Sequence, residues 1–121
     1  VLESTLQWEL LKLAPQRLPS LRLFRRNVAA GRIDGRFMRF GIAGQADLYG
    51  IWRGGSLIEL ELKQARGQKR EAQARWAAFC CEWGVTYLFL RALPAESQQQ
   101  TVDRWIREID AVRPASLPRS T

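Results

Sequence analysis

Asp47 and the triplet Glu61-Leu62-Lys63 are the residues of this chain whose types and spacing can do chemistry together. Asp47 stands in Gly44-Gln45-Ala46-Asp47-Leu48, at the head of one apolar stretch. Glu61 follows fourteen positions later inside the next, with the turn signal Arg53-Gly54-Gly55 between them. A hairpin of the two stretches sets the carboxylates side by side. At ~4 Å and an effective dielectric of ~20, two such charges repel by about 4 kcal/mol, and protonation or a cation must relieve it. Oxygen ligands without imidazole or thiolate select Mg²⁺, with Mn²⁺ as a substitute. Mg²⁺ keeps several waters, one of which can act as a nucleophile. Lys63, two residues past Glu61 on the same face, can orient that water or stabilise a phosphate as charge develops. The peptide oxygen of Leu62 is a further candidate ligand. Without Asp47, the triplet and Glu59 would read as a solvated strand face with weak surface pairs.

Composition narrows the chemistry. The 121 residues contain no histidine, which removes imidazole bases, serine and cysteine triads and histidine metal clusters. Nineteen Lys and Arg against twelve Asp and Glu give a net charge of +7, favouring a polyanionic partner. Cys80 and Cys81 are adjacent, a poor arrangement for a disulfide, and read as core or near-core residues of a reducing compartment. No apolar run approaches the ~20 residues that span a bilayer, and no signal peptide is recognisable, so a cytoplasmic setting without membrane association is expected.

The elements that must position these groups follow from periodicity. Residues 3–13 read as a helix with Leu6, Leu10 and Leu13 in phase, ended by Pro15 and Pro19. Residues 21–26 and 36–40 are strand candidates, separated by a turn or loop over 27–35. Residues 46–52 and 56–63 form the hairpin; in the second strand Ile58, Leu60 and Leu62 face one way and Leu57, Glu59, Glu61 and Lys63 the other. Residues 68–83 read as an amphipathic helix with an apolar stripe of Ala72, Trp76, Phe79, Cys80 and Trp83, closed by Gly84. Residues 86–91 read as a buried strand, and residues 96–112 as a last helix with Val102, Trp105, Ile106 and Ile109 on one face. The implied fold is α/β, a small mixed sheet flanked by helices. Residues 1–113 make one domain, and 114–121 a flexible tail without core-forming content. Trp8, Trp52 and Trp105 read as packing residues rather than base-stacking ones.

The whole pattern resembles the PD-(D/E)xK nuclease superfamily and, within it, the VRR-NUC family. Glu3-Ser4-Thr5-Leu6-Gln7 is similar to the family's Glu-x-x-Ile-Gln helix, Arg26-Asn27 to its Arg-Asn element, and Gly44-Gln45-Ala46-Asp47-Leu48 to its Gly-x-Pro-Asp-Leu. Glu61-Leu62-Lys63 is similar to its Glu-Val-Lys, Gln73 to its helix glutamine, and Gly84-Val85-Thr86-Tyr87 to its glycine-led final strand. Two departures stand out: Ala46 replaces the usual proline, and Glu59 occupies a position usually apolar, either to pair with an arginine or to extend the acidic site. The resemblance implies a restriction-endonuclease-like αβββαβ core plus a C-terminal helix. It implies Asp47 and Glu61 as metal ligands, Glu3 contributing directly or through water, Lys63 as the catalytic lysine and Gln73 as support. It further implies a Mg²⁺-dependent, structure-selective DNA endonuclease of phage or bacterial kind, a homodimer acting on branched DNA such as four-way junctions.

Each of these residues has a plainer alternative. Glu3 suits a helix start by the dipole alone. Gln73 borders the apolar stripe and reads equally as a flank residue. Arg66, Lys69 and Arg70, together with Arg26, are candidate phosphate contacts, yet the first three also read as a solvated turn. The arginines at 22, 25, 26, 32, 36 and 39 imply a basic first half. Two rival functions remain: a non-catalytic DNA-binding module keeping the nuclease fold, and an interaction domain whose charge only keeps it soluble.

Overall fold

The computed structural model describes residues 3–26 and 29–118, with the backbone alone at most positions of 29–40. The chain order is α1 (Glu3–Arg17), β1 (Leu21–Arg25), β2 (Ala29–Ile33), β3 (Arg36–Phe40), β4 (Leu48–Trp52), β5 (Leu57–Lys63), α2 (Glu71–Glu82), β6 (Thr86–Arg91) and α3 (Gln98–Ala111). The result is an α/β fold: a four-stranded mixed sheet, ordered β1-β4-β5-β6, flanked by three helices. β1, β4 and β5 form an antiparallel meander, and α2 returns the chain so that β6 lies parallel to β5. Among the described residues, no helix is long and apolar enough to cross a membrane.

The two faces of this sheet do different work. One carries Leu21, Leu48, Trp52, Ile58, Leu60, Leu62 and Leu90 into a core closed by Leu6 and Leu10 of α1 and by Val102, Trp105, Ile106 and Ile109 of α3. The alternation of β5 and the stripe of α3 therefore have the expected consequence. Ser97 caps α3 by accepting the Gln100 N–H. Glu96, bonded to Arg104 and Thr101, ties its start to the end of β6, whose Arg91 carbonyl accepts from Arg104. The other face carries the charged residues. Opposite residues of paired strands share a face, so the register sets Arg22, Ile51 and Leu57 in one row and Phe24, Tyr49, Glu59 and Tyr87 in the next. A third row, one pair beyond the β1–β4–β5 ladders, brings Arg26, Asp47 and Glu61 together.

Several elements depart from the periodicity. α1 runs through Pro15 to Arg17. A proline this near the end forfeits one carbonyl partner only, and the turn is held by burial of Ala14 and Leu18 and by the Leu18 N–H to Ala14 carbonyl bond of 2.7 Å. The span expected as a loop over 27–35 contains β2, which pairs with β3 through a two-residue turn at Asp34-Gly35, both at positive φ. Asp-Gly between strand-forming residues is a hairpin signal in its own right. α2 starts at Glu71 rather than at 68, and of its apolar stripe only Cys80 is fully buried, while Phe79 and Trp83 are exposed. β6 is an edge strand, half-buried except at Leu90. Trp52 and Trp105 are core residues, but Trp8 is exposed with the Arg25 guanidinium 5.5 Å above its ring. Leu117, in the segment expected to add nothing to the core, packs against it.

Gly44 sets how closely α2 approaches the sheet. Its φ is +86°, and a Cβ there would lie 2.2 Å from the Ala72 carbonyl oxygen in the first turn of α2. Gly54 has φ +99° but open space around it. Gly44→Ala and Gly54→Ala should each cost on the order of 1–3 kcal/mol for backbone strain, with Gly44→Ala the costlier by the clash. Urea unfolding of the two variants measures this; equal losses would show that α2 can shift freely.

Candidate active site

Asp47 enters β4 with both its backbone and its side chain held. Its carbonyl accepts the Arg26 N–H at 2.9 Å, and its Oδ2 accepts the Leu62 N–H at 3.0 Å. The side chain thus lies across the end of β5, where the antiparallel ladder stops. In an extended strand a residue's N–H and C=O lie along the same edge, so the Leu62 carbonyl also leaves β5 on the side of Asp47.

Glu61 is the unusual member of the site. It is 1% exposed, in contrast to the solvated face that alternation alone allows. Its Oε1 accepts from Gln73 Nε2 at 2.5 Å, and Gln73 Oε1 in turn accepts the Arg70 N–H at 2.8 Å. One amide therefore ties the start of α2 to the carboxyl group, with donor and acceptor fixed by the two partners. Glu61 Oε2 is buried and has no hydrogen-bond partner. Burial, then the Asp47 carboxylate beside it, push the Glu61 pKa up to about 9, with Lys63 pulling the other way. A raised carboxyl pKa favours the neutral form, and a cation beside the two carboxylates would relieve the same repulsion.

Glu3, at the start of α1, belongs to the same neighbourhood. Burial and Asp47's charge raise its pKa, while Lys63, the Gln64 backbone and Arg70 lower it. Glu3, Asp47, Glu61 and Lys63 are thus near enough to act on one another electrostatically, and Gln73 bonds Glu61. Among the described residues, no three His, Cys, Asp or Glu side chains close into a ready-made metal cage. Mg²⁺ is ordinarily held by one or two carboxylates plus waters. Asp47 and Glu61, whose Oε2 is unpartnered, fit such an ion, and Glu3 fits the outer role.

Glu59 does not extend this acidic group. Arg26 grips it with both terminal nitrogens, at 2.5 and 2.8 Å, and Trp76 Nε1 donates to it at 2.7 Å. Arg26, a candidate phosphate contact by sequence, is thereby committed inside the fold, and its guanidinium also lies 4.6 Å from the Tyr49 ring centroid. Its neighbour Asn27 lies outside the described residues. Arg66, Lys69 and Arg70 are exposed on the segment between Lys63 and α2, and Arg70 acts electrostatically on Glu3. Lys69 sits over the rings of Tyr87 and Phe89, 5.0 and 5.2 Å from their centroids.

Two residues have roles that sequence reasoning missed. Tyr87 lies opposite Glu59 in the β5–β6 register, and its hydroxyl is buried without a partner; burial and Glu61's charge keep it protonated well beyond the ordinary tyrosine range. An aromatic in a strand carries no signal of this by itself. Arg91, at the end of β6, donates to the carbonyls of Gln64, Ala65 and Gly67, and so pins the loop that presents Arg66 and Lys69.

No family model matches the chain, and neither a curated protein nor a solved structure shows significant similarity to it.

Two measurements test the site as built. A carboxyl whose pKa rises from 4.5 to about 9 on folding adds stability that is complete below 4.5 and lost as pH rises through 9. Metal-free wild type should therefore lose stability between pH 5 and pH 9 relative to Glu61→Gln, which keeps a neutral group facing Gln73 and Asp47. Urea unfolding in EDTA at several pH values gives the comparison, and parallel curves would mean that Glu61 is not desolvated. Arg26→Ala leaves Glu59 buried without its partner and should cost about 3–5 kcal/mol; a loss under 1 kcal/mol would mean that the pair is effectively solvated.

Proposed function

We propose that this chain is a divalent-metal-dependent DNA endonuclease that hydrolyses phosphodiester bonds in branched DNA. The observation that carries the reading is the Asp47–Glu61 pair: two carboxylates at one strand end, one fully buried with an unpartnered oxygen, and a lysine on the same strand face. Such a pair is unfavourable for a surface that only packs or only binds DNA. It is favourable where a cation is to be held beside a phosphate.

Asp47 and Glu61, with the Leu62 carbonyl, would hold Mg²⁺ or Mn²⁺, which supplies Lewis-acid stabilisation of the phosphoryl oxygens. Gln73 fixes the Glu61 carboxylate from behind, so the ligand keeps its direction when its proton leaves. Lys63 brings an ammonium to the same pocket, where it offsets charge growing on the phosphate and orients the attacking water. Glu3 accepts through an outer water. Arg66, Lys69 and Arg70 contact flanking phosphates, a sequence-independent grip that suits recognition of shape over sequence. Cleavage would leave a 3′-hydroxyl and a 5′-phosphate. Preference for four-way junctions, action as a homodimer in which two equivalent sites nick two strands, and a bacterial or phage-infected cytoplasm rest on the VRR-NUC resemblance.

Cleavage of labelled linear, flap and four-way DNA should require Mg²⁺ or Mn²⁺. Asp47→Ala should abolish it while leaving DNA affinity within about twofold. Lys63→Ala should slow it by roughly 10²–10³-fold, the usual effect of deleting one transition-state-stabilising group. DNA binding without cutting by the wild type, in either metal, would leave the non-catalytic DNA-binding module as the reading.

A further inference from the structure

The charged face of the sheet continues past the candidate site as an open, aromatic surface. α2 lies over the β5–β6 half of that face, where Trp76 reaches Glu59 and Gln73 reaches Glu61. Over the β1–β4 half and the start of β5, among the described residues, Phe24, Tyr49, Ile51 and Leu57 stay exposed, Phe24 at 47%. The rings of Phe24 and Tyr49 stack at 5.4 Å, and Arg26 caps the column from the Tyr49 side. α2 borders this floor with a ladder of its own. Trp76 stacks on Phe79 at 5.2 Å, and Phe79 meets Trp83 at 6.0 Å. These rings follow Ala72, which faces Gly44 just before β4, along one side of the helix. Trp83, at the far end, is 70% exposed. Beyond Ile51 the floor ends in an open depression of about 300 Å³ lined by Arg22 and Arg53, among others.

We infer that this floor binds unpaired nucleotides of the substrate, leading a single strand from the carboxylates toward Arg22 and Arg53. The inference rests on the endonuclease reading of the Asp47–Glu61 site and names the feature of branched DNA that the protein grips. Exposed aromatic faces interleaved with arginines form the usual platform for single strands, because every base offers a ring to stack on and every linkage a charge to meet. A duplex offers the charges but not the rings, since its base faces are already stacked. Rows of side chains along a strand repeat every two residues, about 7 Å, a step comparable to that between splayed nucleotides. The floor thus accommodates one base near Phe24 and Tyr49 and another near Ile51 and Leu57, with phosphates passing toward the arginine-lined depression. Charge argues against a second copy of the chain as the occupant: each copy would bring its own arginines, out of a net charge of +7, to the same contact. Glu59, the carboxylate inside the floor, is already neutralised by Arg26.

Binding measured in EDTA by fluorescence anisotropy separates this inference from cleavage. A duplex with a six-nucleotide dT overhang should bind the wild type about tenfold more tightly than the blunt duplex. Trp83→Ala and Phe24→Ala, checked for folding by circular dichroism, should each reduce overhang binding by about tenfold and leave blunt-duplex binding unchanged. Equal affinity for both DNAs, or an overhang preference that survives both variants, would overturn it. So would sedimentation in which Trp83→Ala turns a dimer into a monomer with the overhang preference intact, since a second copy would then be the occupant. A wild type that keeps the overhang preference but never cuts in Mg²⁺ would sink the endonuclease reading alone.

Discussion

Two carboxylates meeting at one strand end, Glu61 fully buried and Asp47 half-buried, is the constraint around which this molecule is arranged. Asp47 and Glu61 are brought together by the antiparallel register of β4 and β5, which is itself fixed by Leu48 and Leu60 facing each other in the core. A slip of one residue would turn Leu60 and Leu62 out of that core. The hydrophobic face therefore dictates where the acidic groups stand, and the carboxylates cannot move apart without breaking it. Their mutual repulsion is relieved by a proton or a cation.

The supporting residues sort by that requirement. Arg26 and Trp76 neutralise and anchor Glu59, one row from Glu61, so Glu59 adds no unbalanced negative charge to the same layer. Gln73 links Glu61 to the first turn of α2, and the bare backbone at Gly44 lets that turn sit against the start of β4. Arg91 holds the intervening loop by its carbonyls. These contacts set α2 over half of one sheet face, and on the other half Phe24, Tyr49 and Ile51 are exposed among the described residues. α1 and α3, on the opposite face, supply stability and take little part in the chemistry beyond Glu3.

What the sequence discloses follows the distance over which the controlling forces act. The alternation of β5, the stripe of α3, the glycine after α2 and the hairpin around Arg53-Gly54-Gly55 are local, and all are legible. The pairing of Asp47 with Glu61 is legible too, because a tight turn leaves little freedom in register. Burial of Glu59 and Glu61 is not, since it depends on where α2 lies across the sheet, and alternation with leucine is equally compatible with solvent. For the same reason the stripe of α2 overstates its burial: Phe79 and Trp83 are exposed rather than set into a core. The strand at Ala29–Ile33 was carried by Asp34-Gly35, a turn signal outweighed by the glycines and asparagine around it. Tyr87 and Arg91 act through neighbours distant in sequence, which no spacing reveals.

Crystals soaked in Mn²⁺ and measured at the manganese edge address the shared site most directly. The account predicts an anomalous peak bridging the carboxylates of Asp47 and Glu61, lost in Asp47→Asn. A peak elsewhere on the protein, or none at millimolar Mn²⁺ with both side chains ordered, would contradict it.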